Sequence, residues 1–549
     1  MVTGIAAPVV LLRASSQVFS KSQRFIHSFK PHQKQRWWLT AAVAGGSIAA
    51  AVGTADLISD HSLLKQLKFS TKTAALATVN PEKSYPVYAR SEVQRHNKHE
   101  NGIWVTFDGN VYDITKFVSE HPGGDKILLA AGGALEPFWH LYAVHKRPEV
   151  YAILDKLKIG VLKADDVVDE TFDMEDPYVH DPKRHPALRV VSEKPFNAET
   201  PTAVLTDTFR TPNDLFFVRN HLPVPEVDLK EYRLEVSGPG VKTKEFSLDE
   251  LKRKFPVFTI DATLQCAGNR RSEMNPIKEV KGLKWSSGAI SNAQWRGVRL
   301  KDVLESVGIK QAKPGVRHVQ FEGLDTDVTG QHYGASIPAE KAFSETGDVM
   351  LAFEMNGEPL PKDHGFPLRV IAPGIVGARN VKWLWRIHVS DSESESHWQQ
   401  NDYKMFNPSV DWSTADFKAT PAIQEAPVQS AICDPSPETA LPKGQSSVQL
   451  RGYAWSGAGR GINRVDVSAD GGKTWHCANL SSEAEQLQYR KWAWTLWSIN
   501  LPIDPSKPVE LVCRAVDDSC NVQPDSVAGI WNLRGCLNNA WYRIKLDRK

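Results

Sequence analysis

Cysteine is scarce in this chain. Six cysteines occur in 549 residues, and no two of them form a CxxC pair. A secreted scaffold built on disulfides needs a far higher density of cysteine, and a zinc site of paired thiolates needs close pairs. Both classes are therefore excluded, and each thiol has to be considered by itself. The six are Cys266, Cys433, Cys477, Cys513, Cys520 and Cys536.

A strong net charge is also lacking. Lysine and arginine together number 66 and aspartate and glutamate 64, which gives a formal charge of +2. This balance gives no reason to expect nucleic acid as a partner. Hydrophobic residues make up 41% of the chain and charged residues 24%, values that exclude a disordered chain and a polytopic membrane protein. The length predicts about three or four domains.

The first 55 positions contain no acidic residue, and the earliest is Asp56. Lysines and arginines are spaced there among serines and apolar residues, which is the composition of a mitochondrial transit peptide. A weakly hydrophobic run rich in glycine and alanine follows over residues 37–55. We therefore expect residues 1–80 to be a two-part sorting signal. It would deliver the mature chain to the intermembrane space, without stable membrane insertion. The alternative is a permanent single-span anchor.

Four regions follow the leader. Residues 84–162 form a block rich in aromatic side chains, and residues 163–177 form an acidic segment that predicts an extended linker. Residues 178–410 alternate apolar segments with glycine and proline, a pattern typical of a mixed α+β domain. Residues 415–549 consist of short strand-like runs, which predict an immunoglobulin-like β-sandwich. The sequence thus predicts a multidomain α+β protein.

The first block contains a histidine in a tight turn, in the string VSEHPGGDK. Pro122 and the two glycines after it favour a sharp reversal that presents His121 at its lip. A second imidazole follows at His140 or His145, in FWHLYAVH. Two neutral imidazoles on opposite faces of an iron porphyrin leave no open position, so such a centre transfers electrons. The alternative is an ordinary turn histidine.

The longer string WVTFDGNVYDITKFVSEHPGG resembles the cytochrome b5 domain over nearly its whole length. The resemblance implies a b-type haem with His121 and His145 as the axial ligands of the iron. His140 would then be an additional histidine on the surface of the helix.

One cysteine lies in a setting that suggests chemistry. The string DATLQCAGNRRSEM places Cys266 after a strand-like run and before a turn, and the adjacent Arg270 and Arg271 favour a thiolate. Further loops, FFVRNHLPVP and DHGFPLRVIAPGIVGARNVKW, supply cations and small residues that suit a large anionic cofactor with a phosphate. The alternative is a buried cysteine with a packing role.

Together these segments resemble the sulfite oxidase family of molybdenum enzymes, and specifically its animal members, because the b5 block comes first and no flavin module follows. The resemblance covers nearly everything after the leader. Its specific strings are FFVRNHLPVP, LQCAGNRRSEMN, YGASIP, MNGEPLPKDHGFPLR, PGIVGARNVKW, SHWQQNDYK and IWNLRG.

The resemblance implies a role for each matching residue. Cys266 would be the protein thiolate on molybdenum, a redox metal that suits soft sulfur donors. The residues implied to hold the molybdenum–molybdopterin cofactor, besides Cys266, are Arg219, Asn220, His221, Asp325, His364, Arg369, Asn380, Val381 and Lys382. Those implied to form the sulfite pocket are Arg219, Arg271, Arg534, Trp285 and Tyr403. Tyr333, in YGASIP, is not the family's pocket position.

The implied activity is oxidation of sulfite to sulfate, with electrons passed one at a time through the haem to cytochrome c. Several guanidinium groups suit the substrate, because sulfite is a small, doubly charged oxyanion. The resemblance also implies a homodimer formed through residues 415–549.

Two other functions are alternatives to sulfite oxidation. Nitrate reductases use the same cofactor, but in them the haem domain follows the molybdenum domain and a flavin domain is appended. A haem-binding electron shuttle whose larger domain has lost its metal is the other alternative. The presence of Cys266 argues against it.

Overall fold

The computed structural model describes residues 85–139, 141–167, 176–311, 314–484 and 486–549. The leader 1–80, His140 and the middle of the acidic segment lie outside these ranges. Among the residues described, no helix is both long enough and apolar enough to cross a membrane.

The N-terminal domain is a five-stranded sheet covered by short helices. Asp108 and Gly109 both have positive φ (48° and 68°) and join two of its strands in a tight hairpin, a conformation that Asp-Gly favours. The sheet order is β1-β5-β4-β3-β2. Its strands and helices are β1 (Val87–Tyr88), β2 (Asn97–Lys98), β3 (Gly102–Phe107), β4 (Asn110–Asp113), β5 (Lys158–Leu162), α1 (Arg90–Val93), α2 (Glu136–Trp139) and α3 (Pro148–Leu157).

The acidic segment begins against this domain. The Asp166 carboxylate accepts a hydrogen bond from the backbone N–H of Arg90 at 2.9 Å. The segment therefore starts as an ordered continuation of β5.

In its described residues, the central domain contains three sheets and four short α-helices. The sheet orders are β10-β9-β18-β13-β14, β11-β12-β15-β16 with β17 beside β15, and β6-β7-β8. Its strands are β6 (Arg189–Glu193), β7 (Phe196–Glu199), β8 (Val218–Arg219), β9 (Leu234–Ser237), β10 (Lys244–Phe246), β11 (Val257–Gln265), β12 (Ile290–Arg299), β13 (His318–Thr326), β14 (His332–Pro338), β15 (Met350–Met355), β16 (Glu358–Pro359), β17 (Arg369–Ile371) and β18 (Leu384–Ser390).

The helices of this domain are α4 (Thr202–Leu205), α5 (Leu248–Lys254), α6 (Leu300–Ser306) and α7 (Ala339–Phe343). In helix α5, the local sequence alone explains where the helix begins and ends. Ser247 accepts from the Glu250 N–H while the Glu250 side chain accepts from the Ser247 N–H, which satisfies two donors at the helix start. Three basic residues follow in the last turn, where the helix dipole favours cations.

The C-terminal region is a sandwich of two four-stranded sheets, ordered β19-β20-β24-β23 and β22-β21-β25-β26. The α+β and sandwich predictions are confirmed. One apolar core extends from the central domain into the sandwich, whereas the N-terminal domain has a core of its own. The strands are β19 (Gln429–Asp434), β20 (Ser447–Trp455), β21 (Ile462–Ser468), β22 (His476–Cys477), β23 (Asn479–Ser481), β24 (Thr495–Pro502), β25 (Val509–Asp517) and β26 (Tyr542–Leu546).

Candidate functional site

Cys266 follows directly after the last residue of β11. Its backbone N–H donates to the Ala289 carbonyl at 3.0 Å, and the Gly268 N–H points at its Sγ at 3.4 Å. The side chain is 4% exposed and packs in an apolar cluster with Trp285, yet it also lines an open cleft. The thiol is therefore held in a rigid turn with one side facing free space.

The cleft encloses about 650 Å³ of space not filled by atoms, part of which is open to solvent. Ten of the residues proposed from sequence line it. They come from many separate segments of the central domain, which the fold brings to one place. The ten are Arg219, His221, Cys266, Asp325, His364, Arg369, Asn380, Val381, Lys382 and Tyr403.

The polar wall of the cleft is rich in buried charge. Lys382 Nζ donates to the Asp363 carbonyl at 2.8 Å and also to the side chain of Asn220, which stands behind the wall. Burial lowers the pKa of Lys382 and raises the pKa of Asp325 nearby. Arg369 donates to the His364 carbonyl at 2.9 Å. These buried cations suit an anionic ligand, because a charge taken out of water needs a partner.

Tyr403 lines the cleft next to His221 and Arg219. Its hydroxyl lies 2.7 Å from Nε2 of His221. Burial lowers the pKa of His221 well below its usual value and raises the pKa of Tyr403, so both are neutral near pH 7. Arg219 donates to the side chain of Asn197 at 3.1 Å, and the charge on Arg219 favours the phenolate of Tyr403. A neutral phenol beside a cation can donate a hydrogen bond to an anion.

Arg271 and Arg534 lie in contact with each other. Arg271 Nε donates to the Arg534 carbonyl at 3.0 Å, and its Nη1 to the Leu283 carbonyl at 2.9 Å. A Cβ at Gly268 would lie 2.4 Å from the Arg271 guanidinium, so a larger residue there would displace the guanidinium from this position. Arg534 forms an ion pair with Asp402, the residue before Tyr403. Of the proposed sulfite-pocket arginines, Arg219 lies beside Tyr403, and Arg534 reaches it through Asp402. Arg271 contacts Arg534, but neither Arg271 nor Arg534 is among the side chains that line the cleft.

Neither Arg270 nor Trp285 lines the cleft. Arg270 was expected beside the thiolate, but its guanidinium is completely buried against Glu273 at 2.7 Å and the Ser430 carbonyl at 3.2 Å, so it braces the fold instead. Trp285 is fully buried and does not line the cleft, and its Nε1 has no hydrogen-bond partner among the described residues.

Two carboxylates of the site, Asp363 and Asp402, were not predicted from the sequence. Asp363 binds Arg184 at 2.8 Å and accepts from the Asn220 side chain at 2.9 Å. For Asp402, burial alone would raise the pKa, but Arg534 and His397 outweigh burial and hold it below its usual range. Their positions in the chain could have indicated both carboxylates, because Asp363 directly precedes His364 and Asp402 directly precedes Tyr403.

The N-terminal domain places His121 and His145 close together with their rings nearly parallel. Their ring centroids lie 6.4 Å apart with an interplanar angle of 29°. Nδ1 of His121 donates to the Gly124 carbonyl at 3.1 Å, and Nδ1 of His145 to the Trp139 carbonyl at 3.3 Å. Both Nε2 atoms are thus left as free acceptors, the arrangement of a metal-binding imidazole. Burial lowers both pKa values, that of His145 to about 4.

This geometry fits a haem. Two imidazoles that bind one metal from opposite sides, each with a bond of about 2 Å, place their ring centroids about 6 Å apart. A Cβ at Gly123 would lie 2.8 Å from the His121 ring, so glycine is required for this orientation. On the same two segments, Leu129 and Val144 are 46% and 45% exposed, as expected for the walls of an apolar ligand site.

The cleft also fits a pterin cofactor. Asp325 lines it, and one of its carboxylate oxygens is buried without a hydrogen-bond partner among the described residues. A pterin offers ring N–H and amino donors for such an acceptor. Cys266 provides the single soft donor, and the buried cations provide partners for a phosphate.

Comparison with known families supports this division of the chain. Residues 89–163 match the cytochrome b5-like heme/steroid binding domain, residues 221–398 the oxidoreductase molybdopterin binding domain, and residues 420–549 the Mo-co oxidoreductase dimerisation domain. Sulfite oxidase of Gallus gallus is 56% identical over 461 residues, which span 84% of this chain and 100% of that relative.

The chain belongs to the sulfite oxidase family. A second member, the mitochondrial sulfite oxidase of Homo sapiens, is 55% identical over 84% of this chain and 85% of its own length. Among solved structures, the sulfane dehydrogenase SoxCD of Paracoccus pantotrophus aligns with a TM-score of 0.54 and 32% identity, over 67% of this chain and 86% of that chain. The expected resemblance is thereby confirmed, whereas the role of each site residue stays a prediction.

Arg219 offers a test of the anion pocket within this family. We expect Arg219→Gln to raise KM for sulfite about tenfold or more, because a hydrogen bond between charged groups contributes about 1.5–3 kcal/mol. Arg219→Lys keeps the charge but loses the planar fork, so its KM should lie between the two. Steady-state kinetics over a range of sulfite concentrations measures both. Equal KM values in all three proteins would contradict the assignment.

Proposed function

We propose that this chain oxidises sulfite to sulfate at a molybdenum–pterin centre and passes the electrons through a b-type haem to cytochrome c. One observation carries the proposal. A single thiol faces a cleft lined by buried cations, beside a cluster of arginines around Tyr403, in a chain of the sulfite oxidase family.

Nine of the ten cleft residues, all except Tyr403, would hold the molybdenum–molybdopterin cofactor together with Asn220, and Cys266 would be the protein ligand of the metal. When bound, this cofactor supplies the oxygen-transfer chemistry and accepts two electrons. Overall, sulfite and water give sulfate, two protons and two electrons.

The chain's own side chains bind and orient the anion. Arg219, Arg271 and Arg534 attract sulfite and offset the charge that builds up as the new S–O bond forms. Asp402 fixes the direction of Arg534. Tyr403 donates a hydrogen bond from a phenol that burial keeps protonated, and His221 accepts or returns that proton through the 2.7 Å contact.

His121 and His145 would hold the haem, which supplies one-electron transfer when bound. Contacts between the N-terminal and central domains support passage of electrons between the two centres. Lys126 Nζ lies 2.6 Å from the Asp327 carboxylate and 4.9 Å from the centroid of the Trp398 ring, and Lys281 Nζ donates to the Glu120 carbonyl at 3.3 Å. Glu120 and Lys126 flank the turn of His121, so these contacts bring that turn to the central domain.

We expect Lys126→Glu to slow reduction of the haem by sulfite at least about tenfold, because a charge opposite the buried Asp327 would be reversed. Stopped-flow absorbance of the haem measures this step directly. Lys116→Glu makes the same change of charge at an exposed lysine and should leave the rate within about twofold. An unchanged rate in Lys126→Glu would show that this contact does not serve electron transfer.

We infer a mitochondrial location, which the composition of the leader and the naming of the human relative support. The intermembrane space is the finer proposal, because it holds cytochrome c and matches a two-part leader. The match of residues 420–549 to a dimerisation domain supports a homodimer. Fractionation of mitochondria and the mass of the purified protein in solution test these points.

The deciding experiment is cytochrome c reduction by the purified protein with sulfite as the only donor. The proposal requires sulfite-dependent turnover and no turnover with nitrate. Nitrate-dependent oxidation of a donor would favour nitrate reduction, and haem without molybdenum or pterin would favour a simple electron shuttle.

A further inference from the structure

Arg379 is a buried arginine with an unusual set of partners. None of its surface is exposed to solvent. Its Nε donates to the Ile423 carbonyl at 3.0 Å, and its two Nη atoms donate to the carbonyls of Trp398 and Tyr403, each at 3.3 Å. All three nitrogens of the guanidinium are thus used to hold backbone oxygens of two other segments.

Unlike the equally buried Arg270, Arg379 is not held in place by pairing with a carboxylate. Arg270 is equally buried, and both oxygens of the Glu273 carboxylate accept from it, at 2.8 and 2.7 Å. Arg379 forms no ion pair with any carboxylate in the part of the chain that the structure describes. A buried cation without a counter-charge is costly. The role of Arg379 is therefore to be sought in how it holds the backbone segments to which it donates hydrogen bonds.

Arg379 joins a wall of the cofactor cleft to the segment that carries Tyr403 and Asp402. On one side, its neighbours Ala378 and Asn380 line the cleft. On the other side, it donates to the carbonyl of Trp398, the first residue of the π-helical turn Trp398–Asp402, and to the carbonyl of Tyr403, the residue after that turn. Asp402 binds Arg534, so a shift of this turn would displace that guanidinium as well as the phenol.

We propose that Arg379 is a positioning residue for sulfite: it fixes Tyr403 and, through Asp402, Arg534 against the wall of the cofactor cleft. The inference rests on the proposed function and assigns to it a residue that does not itself line the cleft. Arg379 would act by fixing the positions of Tyr403 and Arg534. Displacement of reacting groups by about 1 Å can cost up to about 100-fold in rate or binding.

The test is Arg379→Met, with Arg379→Lys as the conservative variant. We expect Arg379→Met to raise KM for sulfite about 10- to 100-fold, and the dissociation constant of sulfate by a similar factor. The value of kcat should change less, and molybdenum and haem content should be unchanged. Arg379→Lys keeps the charge and some of the donors, so its shifts should be smaller. Kinetics gives KM, and titration calorimetry with sulfate gives the dissociation constant without turnover.

Arg386→Met is the matched control, because Arg386 is a half-buried arginine paired with Glu235 and Glu322 in a sheet. It should leave both constants within about twofold. If Arg379→Met does not fold, Arg379→Lys decides the matter. Unchanged KM and sulfate affinity, even with a lower melting temperature, would overturn the proposal, since that result describes a brace alone. If the unaltered chain binds sulfate without oxidising sulfite, the proposed function fails while calorimetry still decides the role of Arg379.

Discussion

Replacing Cys266 with serine should abolish sulfite oxidation and leave the haem intact. Serine offers a hard hydroxyl that is protonated at neutral pH, whereas molybdenum bound to sulfur donors needs a soft thiolate. Loss of a group that merely supports a metal ligand costs about 10- to 100-fold, and loss of the ligand itself should exceed that range. We therefore expect sulfite-dependent turnover to fall more than about 100-fold, with unchanged haem absorbance. Steady-state assays and the visible spectrum of the variant measure both.

Cys433→Ser is the matched control. Cys433 is a buried cysteine too, but it lies in the sandwich, where burial raises the pKa of its thiol and keeps it protonated. This variant should keep its turnover and lose only stability, because a hydroxyl replaces a packed thiol. Turnover in Cys266→Ser close to that of the unaltered chain would contradict the assignment of the molybdenum ligand.

Replacing His145 with alanine should separate the two half-reactions. Without the second imidazole the haem loses one of its two axial ligands, so we expect the six-coordinate spectrum to disappear. Cytochrome c reduction should fall about 100-fold or more, because its electrons have to pass through the haem. Oxidation of sulfite by a small inorganic oxidant such as ferricyanide, which can reach the cleft, should persist. Parallel assays with the two acceptors measure the difference.

His96→Ala controls for a general effect on the N-terminal domain. His96 is stacked on Trp104 at 3.6 Å, in the same domain as the two haem histidines, but its ring nitrogen meets the Asn101 carbonyl instead. This variant should keep the haem spectrum and both activities. Equal loss of both activities in His145→Ala would show that the histidine acts on the whole fold.

The motifs of the sequence predicted the parts of the site that depend on local chemistry. Residue type and spacing marked a thiol after a strand, an HPGG turn and loops rich in cations as candidate sites, and the resemblance to known families then assigned their ligands. The structure shows why HPGG works, since a side chain at Gly123 would strike the His121 ring. The α+β domain and the sandwich were likewise predictable, because both follow from the spacing of apolar residues.

The directions of the arginines could not be predicted from sequence. Arg270 and Arg271 are neighbours, yet one turns to Glu273 and the other to the carbonyl of Arg534, 263 positions away. Such choices depend on which distant segment the fold places within reach. Arg379 and Asp402 escaped for the same reason, since their partners lie on other segments.

The most direct test of the central claim is a visible spectrum of the purified protein before and after addition of sulfite, together with its elemental molybdenum content. We predict about one molybdenum and one haem for each chain, and reduction of the haem by sulfite alone. In Cys266→Ser the haem should stay oxidised after the same addition. A haem that sulfite does not reduce in the molybdenum-loaded protein would contradict the account.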